Sequence, residues 1–258
     1  MTSPAPAGAP IICDLDGVVW LSRHPIPGAA DGIARLRAGG HRVLFVTNNS
    51  FWVREDVEAA LEAVGVPAGG DVLSSAMAAA ALVEPGERAV VVGGPGIVQA
   101  LEARGVQVVP DGPADAVLVG FTREFDYDAL RRANATILAG ARLIGTNDDA
   151  TYPTPEGPIP GGGALLAAVA TASGREPLVA GKPHRPMADL VRAELGGVMD
   201  GAVMIGDRPE TDGEFAVQLG IPFALVRTGV TPAGVTVEPV PGFDAPDLGT
   251  LVDDLLAR

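Results

Sequence analysis

Short apolar runs rich in Val, Ile and Ala, most of them closed by Gly, Asp or Thr and followed by a segment with helical spacing, recur along this chain. Runs this short, bounded by turn residues, read as strands buried on both faces, and their alternation with helical segments reads as βα units around a largely parallel sheet. The pattern predicts strands at residues 11–14, 43–47, 90–92, 116–119, 142–144, 203–205 and 223–226. It predicts helices at residues 29–38, 54–64, 95–103, 127–138, 163–171, 186–195, 210–219 and 248–256, with Gly65, Gly105, Gly174, Gly196 and Gly220 as helix C-caps.

The chain has 258 residues, enough for one large α/β domain or two modest ones. Its hydrophobic fraction is 47%, yet no apolar run is long enough to span a bilayer, so the expectation is a soluble protein without a membrane partner. The opening MTSPAPAGAP has no basic residue and no apolar core segment; it reads as a frayed leader rather than a signal peptide, which makes the cytoplasm the default location. Cys13 is the single cysteine, which excludes an internal disulfide and a cysteine-based zinc site.

Charge narrows the partners. Eighteen basic against 32 acidic residues give a net charge of −14, which disfavours nucleic acid. A small phosphate ester would meet the same repulsion. A phosphate site here therefore needs a metal ion, backbone amides or a placed cation.

Four segments supply such groups. Asp14 and Asp16 stand two positions apart at the end of the first run and before Gly17. Strand alternation would aim both at one side, where two carboxylates need a cation or a shared proton, and magnesium suits oxygen ligands with open positions. By itself Asp-x-Asp-Gly is also consistent with a turn or a calcium loop. The run 43–47 ends in Thr47, followed by Asn48, Asn49 and Ser50; a hydroxyl and the amides after it can hold phosphate oxygens, or cap a helix. Lys182 is the only lysine beside 17 arginines, which suggests a position needing a compact point charge, although a lone lysine is often simply solvated. The run 203–205 leads to Asp207, with Glu210 and Asp212 following. Glu210 and Asp212 suit a helix N-terminus for dipole reasons alone, whereas Asp207 falls at the strand end where α/β sheets build sites.

In this order, Asp14 and Asp16, Thr47, Lys182, then Asp207 and Asp212, the four segments resemble the haloacid dehalogenase superfamily. Residues 114–120 (ADAVLVG), 125–127, 145–151 (GTNDDAT), 160–163 (PGGG) and 181–183 (GKP) resemble its NagD and 4-nitrophenylphosphatase-like branch with a type C2 cap. The resemblance covers the chain after its leader and implies a doubly wound, mostly parallel α/β core from 1–76 and 180–258, with an inserted α/β cap at 77–179 entered through Ser74 to Ala76. It implies a magnesium-dependent phosphatase acting on small phosphate monoesters such as glycerol 3-phosphate, phosphoglycolate or a nucleoside monophosphate, and a homodimer through the cap. Asp14 is then the nucleophile and Asp16 the general acid and base. Thr47, Asn48, Asn49 and Lys182 become the phosphate-binding groups, and Asp14, Asp16, Asp207 and Asp212 the metal-binding ones. The cap loop 147–153 would carry Tyr152 toward the substrate, the alternative being that Tyr152 packs within the cap. The branch carries Asp where this chain has Glu210. His24, His41 and His184 lack metal-ligand spacing and read as structural or exposed, and Trp20 and Trp52 as lining the core or the cap hinge. A phosphotransferase or phosphomutase on the same fold, a non-catalytic phosphometabolite-binding regulator and a calcium-binding protein are the competing readings.

Overall fold

A computed structural model describes residues 6, 8–152 and 157–257. Most of the expected leader and the Pro153 end of the 147–153 loop lie outside the described residues. The chain divides into two compact units: one comprises Met1–Thr47, Glu55–Leu73 and Lys182–Arg258, the other Asn48–Arg54 and Ser74–Gly181.

The first unit is built on a six-stranded sheet with the order Phe243–Ala245, Phe223–Val226, Val203–Gly206, Ile11–Cys13, Val43–Thr47, Val72–Ser74. Ile11–Cys13 pairs in parallel on both sides, Cys13 matching Ile205 on one neighbour and Phe45 on the other. Its residues and those of Val43–Thr47 are all buried, as expected of parallel strands covered on both faces. From this central strand the chain builds outward in one direction through residue 74 and later in the other through residue 245. The order therefore reverses between Ile11–Cys13 and Val203–Gly206, and ligand sites in open α/β sheets form beyond the carboxyl ends of strands at such a point.

Helix Ala29–Ala38 buries Ala29, Gly32, Ile33 and Leu36, and helix Leu248–Leu256 buries Leu248, Leu251, Val252 and Leu255. Both sets follow the spacing of one apolar helix face. A methyl group on Gly32 would lie 3.2 Å from Leu248, so the bare glycine lets these helices approach closely. Each fully buried side chain in this core, such as Ile33 or Leu251, contributes roughly 2 kcal/mol. That core holds the sheet rigid, and the strand ends inherit the rigidity.

The second unit has a five-stranded sheet with the order Leu178–Val179, Arg142–Gly145, Ala116–Val119, Arg88–Val92, Gln107–Val109, parallel throughout. Helices Pro95–Glu102, Tyr127–Leu138 and Gly162–Ser173 accompany it, the second capped by Asp126, whose side chain accepts from the Ala129 amide at 2.7 Å. A short hairpin pairs Thr151–Tyr152 with Ile159–Pro160. No helix among the described residues is long and apolar enough to cross a membrane.

The expected continuous helix at 210–219 is corrected. Pro209–Gly213 forms a π-helical turn and a regular α-helix runs only from Glu214 to Leu219. The amides of Asp212 and Gly213 both donate to the Arg208 carbonyl, at 2.7 and 3.3 Å, which widens the turn. Such π-turns frequently mark functional positions.

Candidate active site

Asp14 directly follows the central strand, Thr47 ends the next one, and Asp207 directly follows Val203–Gly206. Parallel register brings these three positions to the same edge of the first unit's sheet. After Asp14 the chain turns tightly: the amides of Val18, Val19 and Trp20 converge on the Leu15 carbonyl, and Gly17 donates to the Trp20 carbonyl at 2.7 Å. Gly17 has φ +88°, a conformation that other residues rarely adopt. A Cβ on Gly17 or on Gly229 would overlap the Asp207 carboxylate, so two glycines form the notch that holds it. The Val230 amide donates to Asp207 Oδ2 at 2.7 Å, and Thr228 Oγ1 donates to the Gly17 carbonyl at 2.6 Å.

Lys182 is the pivot of the cluster. It is 2% exposed, and its Nζ donates to Asp14 Oδ1 at 2.6 Å and to Asp212 Oδ1 at 2.7 Å. The π-turn explains how Asp212 reaches this position, since it directs the carboxylate back toward the preceding strand end. There Oδ2 accepts from the amides of Asp207 and Arg208, each at 3.2 Å. A Cβ on Gly206 would overlap Asp212, so this return also requires glycine.

Carboxylate oxygens of Asp14, Asp207 and Asp212 lie within 4.8 Å of one another, all three residues being buried. Burial opposes the charge on Lys182, but the adjacent Asp14 and Asp212 outweigh it and raise the ammonium pKa. Burial also pushes Asp14 well above the usual carboxylate range; Lys182 pulls the other way, and Asp212 and Asp207 add to the rise. Burial, then the neighbouring Asp212, lifts Asp207 to about 7, and burial lifts Asp16 to about 6 against the pull of Lys182. Three acids facing one ammonium form a set of hard oxygen donors with surplus negative charge, which fits a divalent cation such as magnesium.

The remaining sequence candidates distribute as follows. Asn48, Asn49 and Tyr152 belong to the second unit. There Asn48 Nδ2 donates to Asp149 at 3.0 Å, and the Asn48 carbonyl accepts from Ser75 Oγ at 2.7 Å and from Asn147 Nδ2 at 2.8 Å. Asn49 Oδ1 accepts from the Phe51 and Trp52 amides, the turn-capping role that its short polar side chain also allowed. Tyr152 packs beside Phe121, ring centres 5.7 Å apart. Glu210 is exposed and outside the carboxylate cluster. His41 is buried with Nδ1 at 2.8 Å from the Ala9 carbonyl, a structural role; His24 is exposed and His184 partly so. Residues 228–231 were missed by the sequence reading, although they too follow a buried strand, Phe223–Val226, and its strand-end logic extends to them.

Comparison with known proteins follows the same lines. A family model described as haloacid dehalogenase-like hydrolase matches residues 11–107, and a second, HAD-hydrolase-like, matches residues 179–255. A D-glycerol 3-phosphate phosphatase of Mycobacterium tuberculosis is 38% identical over 256 residues, covering 95% of this chain and 71% of that one. The crystal structure of a glycerol phosphate phosphatase from Mycobacterium tuberculosis, in complex with magnesium, superposes with a TM-score of 0.86 at 36% identity, covering 97% of this chain and 78% of that one. A p-nitrophenyl phosphatase from Archaeoglobus fulgidus gives 0.89 at 28% identity, covering 96% and 99%.

Proposed function

The chain belongs to the haloacid dehalogenase-like hydrolases, in their NagD and 4-nitrophenylphosphatase-like branch, and on that premise we propose that it hydrolyses small phosphate monoesters through a phosphorylated Asp14. The observation that carries the proposal is the buried ammonium of Lys182 bridging Asp14 and Asp212 beside Asp207. A binding protein has no need of such a costly arrangement, since three buried carboxylates stabilise nothing by themselves. They are explained by an electrophile and a cation that both require them.

An Asp14 oxygen attacks phosphorus in line, forming an O–P bond as the ester oxygen leaves. Asp16, its carboxyl raised to about 6, gives its proton to that departing oxygen and then takes a proton from the water that hydrolyses the acyl phosphate. Inorganic phosphate leaves and both carboxyl groups return to their starting states. Thr47, the Asn48 amide, Asn49 and Lys182 hold the other phosphoryl oxygens. Magnesium would be held by the Asp14 and Asp207 carboxylates and the Asp16 carbonyl, with Asp212, whose oxygens already serve Lys182 and two amides, supporting it indirectly. When bound, it supplies neutralisation of the phosphoryl charge, which permits approach of an anionic nucleophile.

Within the same proposal the core is 1–76 with 180–258 and the cap is 77–179, Tyr152 selects the leaving group, and the chain is a cytoplasmic homodimer joined through the cap. Relatives named for glycerol phosphate make glycerol 3-phosphate the first ester to test. A magnesium-dependent turnover screen over glycerol 3-phosphate, phosphoglycolate and nucleoside monophosphates tests the function. Release of free inorganic phosphate in plain buffer is expected; phosphoryl transfer to a second metabolite without phosphate release would make the chain a transferase instead.

A further inference from the structure

Residues 227–242, which join strand Phe223–Val226 to strand Phe243–Ala245, form neither helix nor strand. The two strands are parallel neighbours, and such a pair is usually joined through a helix. Irregular connections of this length are uncommon unless they serve a function. Here the first residues of the connection stay at the carboxyl edge of the sheet. Thr231, 7% exposed, donates from Oγ1 to the Asp207 carbonyl at 2.5 Å, while the Val230 amide donates to the Asp207 side chain at 2.7 Å. Asp207 is thus held through its main chain and its side chain by two consecutive residues. Thr228 Oγ1 donates to the Gly17 carbonyl at 2.6 Å, one residue beyond Asp16. One short segment therefore ties the end of strand Val203–Gly206 to the turn that follows the central strand.

The segment is itself anchored. Arg227 Nε and Nη2 donate to the two oxygens of Asp244 on the neighbouring strand, at 2.8 and 2.5 Å. Nη1 and Nη2 also donate to the carbonyls of Pro232 and Val235, at 2.8 and 3.1 Å, so the loop closes around the guanidinium. The Arg227 side chain is 9% exposed, although residues 232–236 face solvent. A fork that satisfies one carboxylate and two loop carbonyls fixes backbone in a way that a simple surface ion pair does not. We propose that Arg227 and Thr231 are positioning residues that fix Asp207 for magnesium and set a preference for magnesium over a larger divalent cation. This rests on the reading of Asp207 and the Asp16 carbonyl as magnesium ligands. Magnesium demands near-octahedral oxygens at about 2.0 to 2.1 Å, whereas calcium accepts a looser shell at about 2.3 to 2.6 Å. Ligands free to shift therefore cost the smaller ion more.

The test is calorimetric titration of the chelator-treated protein with magnesium and, separately, with calcium. Thr231→Val keeps the shape of the side chain without its donor, and Thr231→Ser keeps the donor. Arg227→Lys keeps the charge but cannot bond Asp244 and two carbonyls together. Thr231→Val and Arg227→Lys are expected to weaken magnesium about tenfold and calcium less than about threefold, with Thr231→Ser within about twofold of the parent for both ions. A ratio of magnesium to calcium affinity that stays at the parent value in either variant, whether both affinities fall together or neither falls, would overturn the proposal. So would a loss in Thr231→Ser as large as in Thr231→Val. Thermal unfolding checks the fold of each variant, and if Thr231→Val fails to fold Arg227→Lys decides. Asp207→Asn is the control for the underlying reading: unchanged magnesium affinity there would remove Asp207 as a ligand, independently of any result at positions 227 and 231.

Discussion

The ammonium of Lys182 lies 2.6 Å from the Asp14 carboxylate, although 168 positions separate them in the chain. It also bonds Asp212 at 2.7 Å, so one cation holds the nucleophile and the π-turn together. Removing it leaves buried acids without their counter-charge. Lys182→Met should lower stability at neutral pH by about 3 kcal/mol and turnover by at least about a hundredfold. Lys182→Arg should also lose most activity, because a planar guanidinium cannot replace a compact charge between two carboxylates in a closed pocket. Denaturant unfolding and phosphate release read the two effects separately; full activity in Lys182→Arg would defeat the argument from this residue.

The buried acids set a pH dependence. Asp16 and Asp207 have folded pKa values raised from 3.8 to about 6 and about 7, mainly by burial. The folded chain therefore holds more protons than the unfolded chain between 3.8 and about 7. Metal-free stability must fall as pH rises through that window, and the cost is complete above it. A divalent cation favours the ionised carboxylates and should offset most of the loss. Thermal unfolding in a chelator should show Tm falling from pH 5 toward pH 8, and added magnesium should flatten the trend.

The notch around Asp207 is made by absent side chains. Gly229→Ala places a methyl group against the carboxylate, and Gly17→Ala does so at a φ of +88° as well. Displacing a ligand carboxylate and its Val230 hydrogen bond should weaken magnesium about ten- to a hundredfold. A magnesium titration of activity, checked by calorimetry, measures this directly. Unchanged affinity in both variants would mean that Asp207 is not a metal ligand.

Glu210 gives the opposite expectation. It stands where the branch carries Asp, but it is exposed and outside the carboxylate cluster. Glu210→Gln should leave the magnesium requirement within about twofold of the parent, as surface substitutions usually do. A larger shift in the same titration would show that it reaches the cation through its surroundings.

Legibility of the fold followed burial. The seven strands expected from apolar runs all exist, because each is interior to its sheet and reads as a continuous apolar segment. Of the strands that were not expected, Val72–Ser74, Phe243–Ala245, Gln107–Val109 and Leu178–Val179 are the four edges of the two larger sheets, two or three residues long, and the others form the short hairpins that pair Trp20–Leu21 with His24–Pro25 and Thr151–Tyr152 with Ile159–Pro160. An edge strand has one partner, and three of these four keep exposed residues, so little pattern is left to read. The hairpin around Ser22 and Arg23 escaped because neither residue is the Asn or Gly that such turns favour. In the site, carboxylates at strand ends were legible, since buried runs that stop at an acid need a reason. The π-turn that aims Asp212 and the glycines that make room for Asp207 depend on three-dimensional proximity, for which a single sequence has no local sign.

The central claim is that Asp14 becomes phosphorylated. The direct measurement is mass spectrometry of the chain after acid quench during turnover of 4-nitrophenyl phosphate with magnesium, compared with Asp14→Asn. The account predicts one phosphoryl group on the peptide containing Asp14 in the parent chain, and neither that adduct nor turnover in the variant. Undiminished turnover by Asp14→Asn, or a phosphoryl group carried on a different residue, would contradict it.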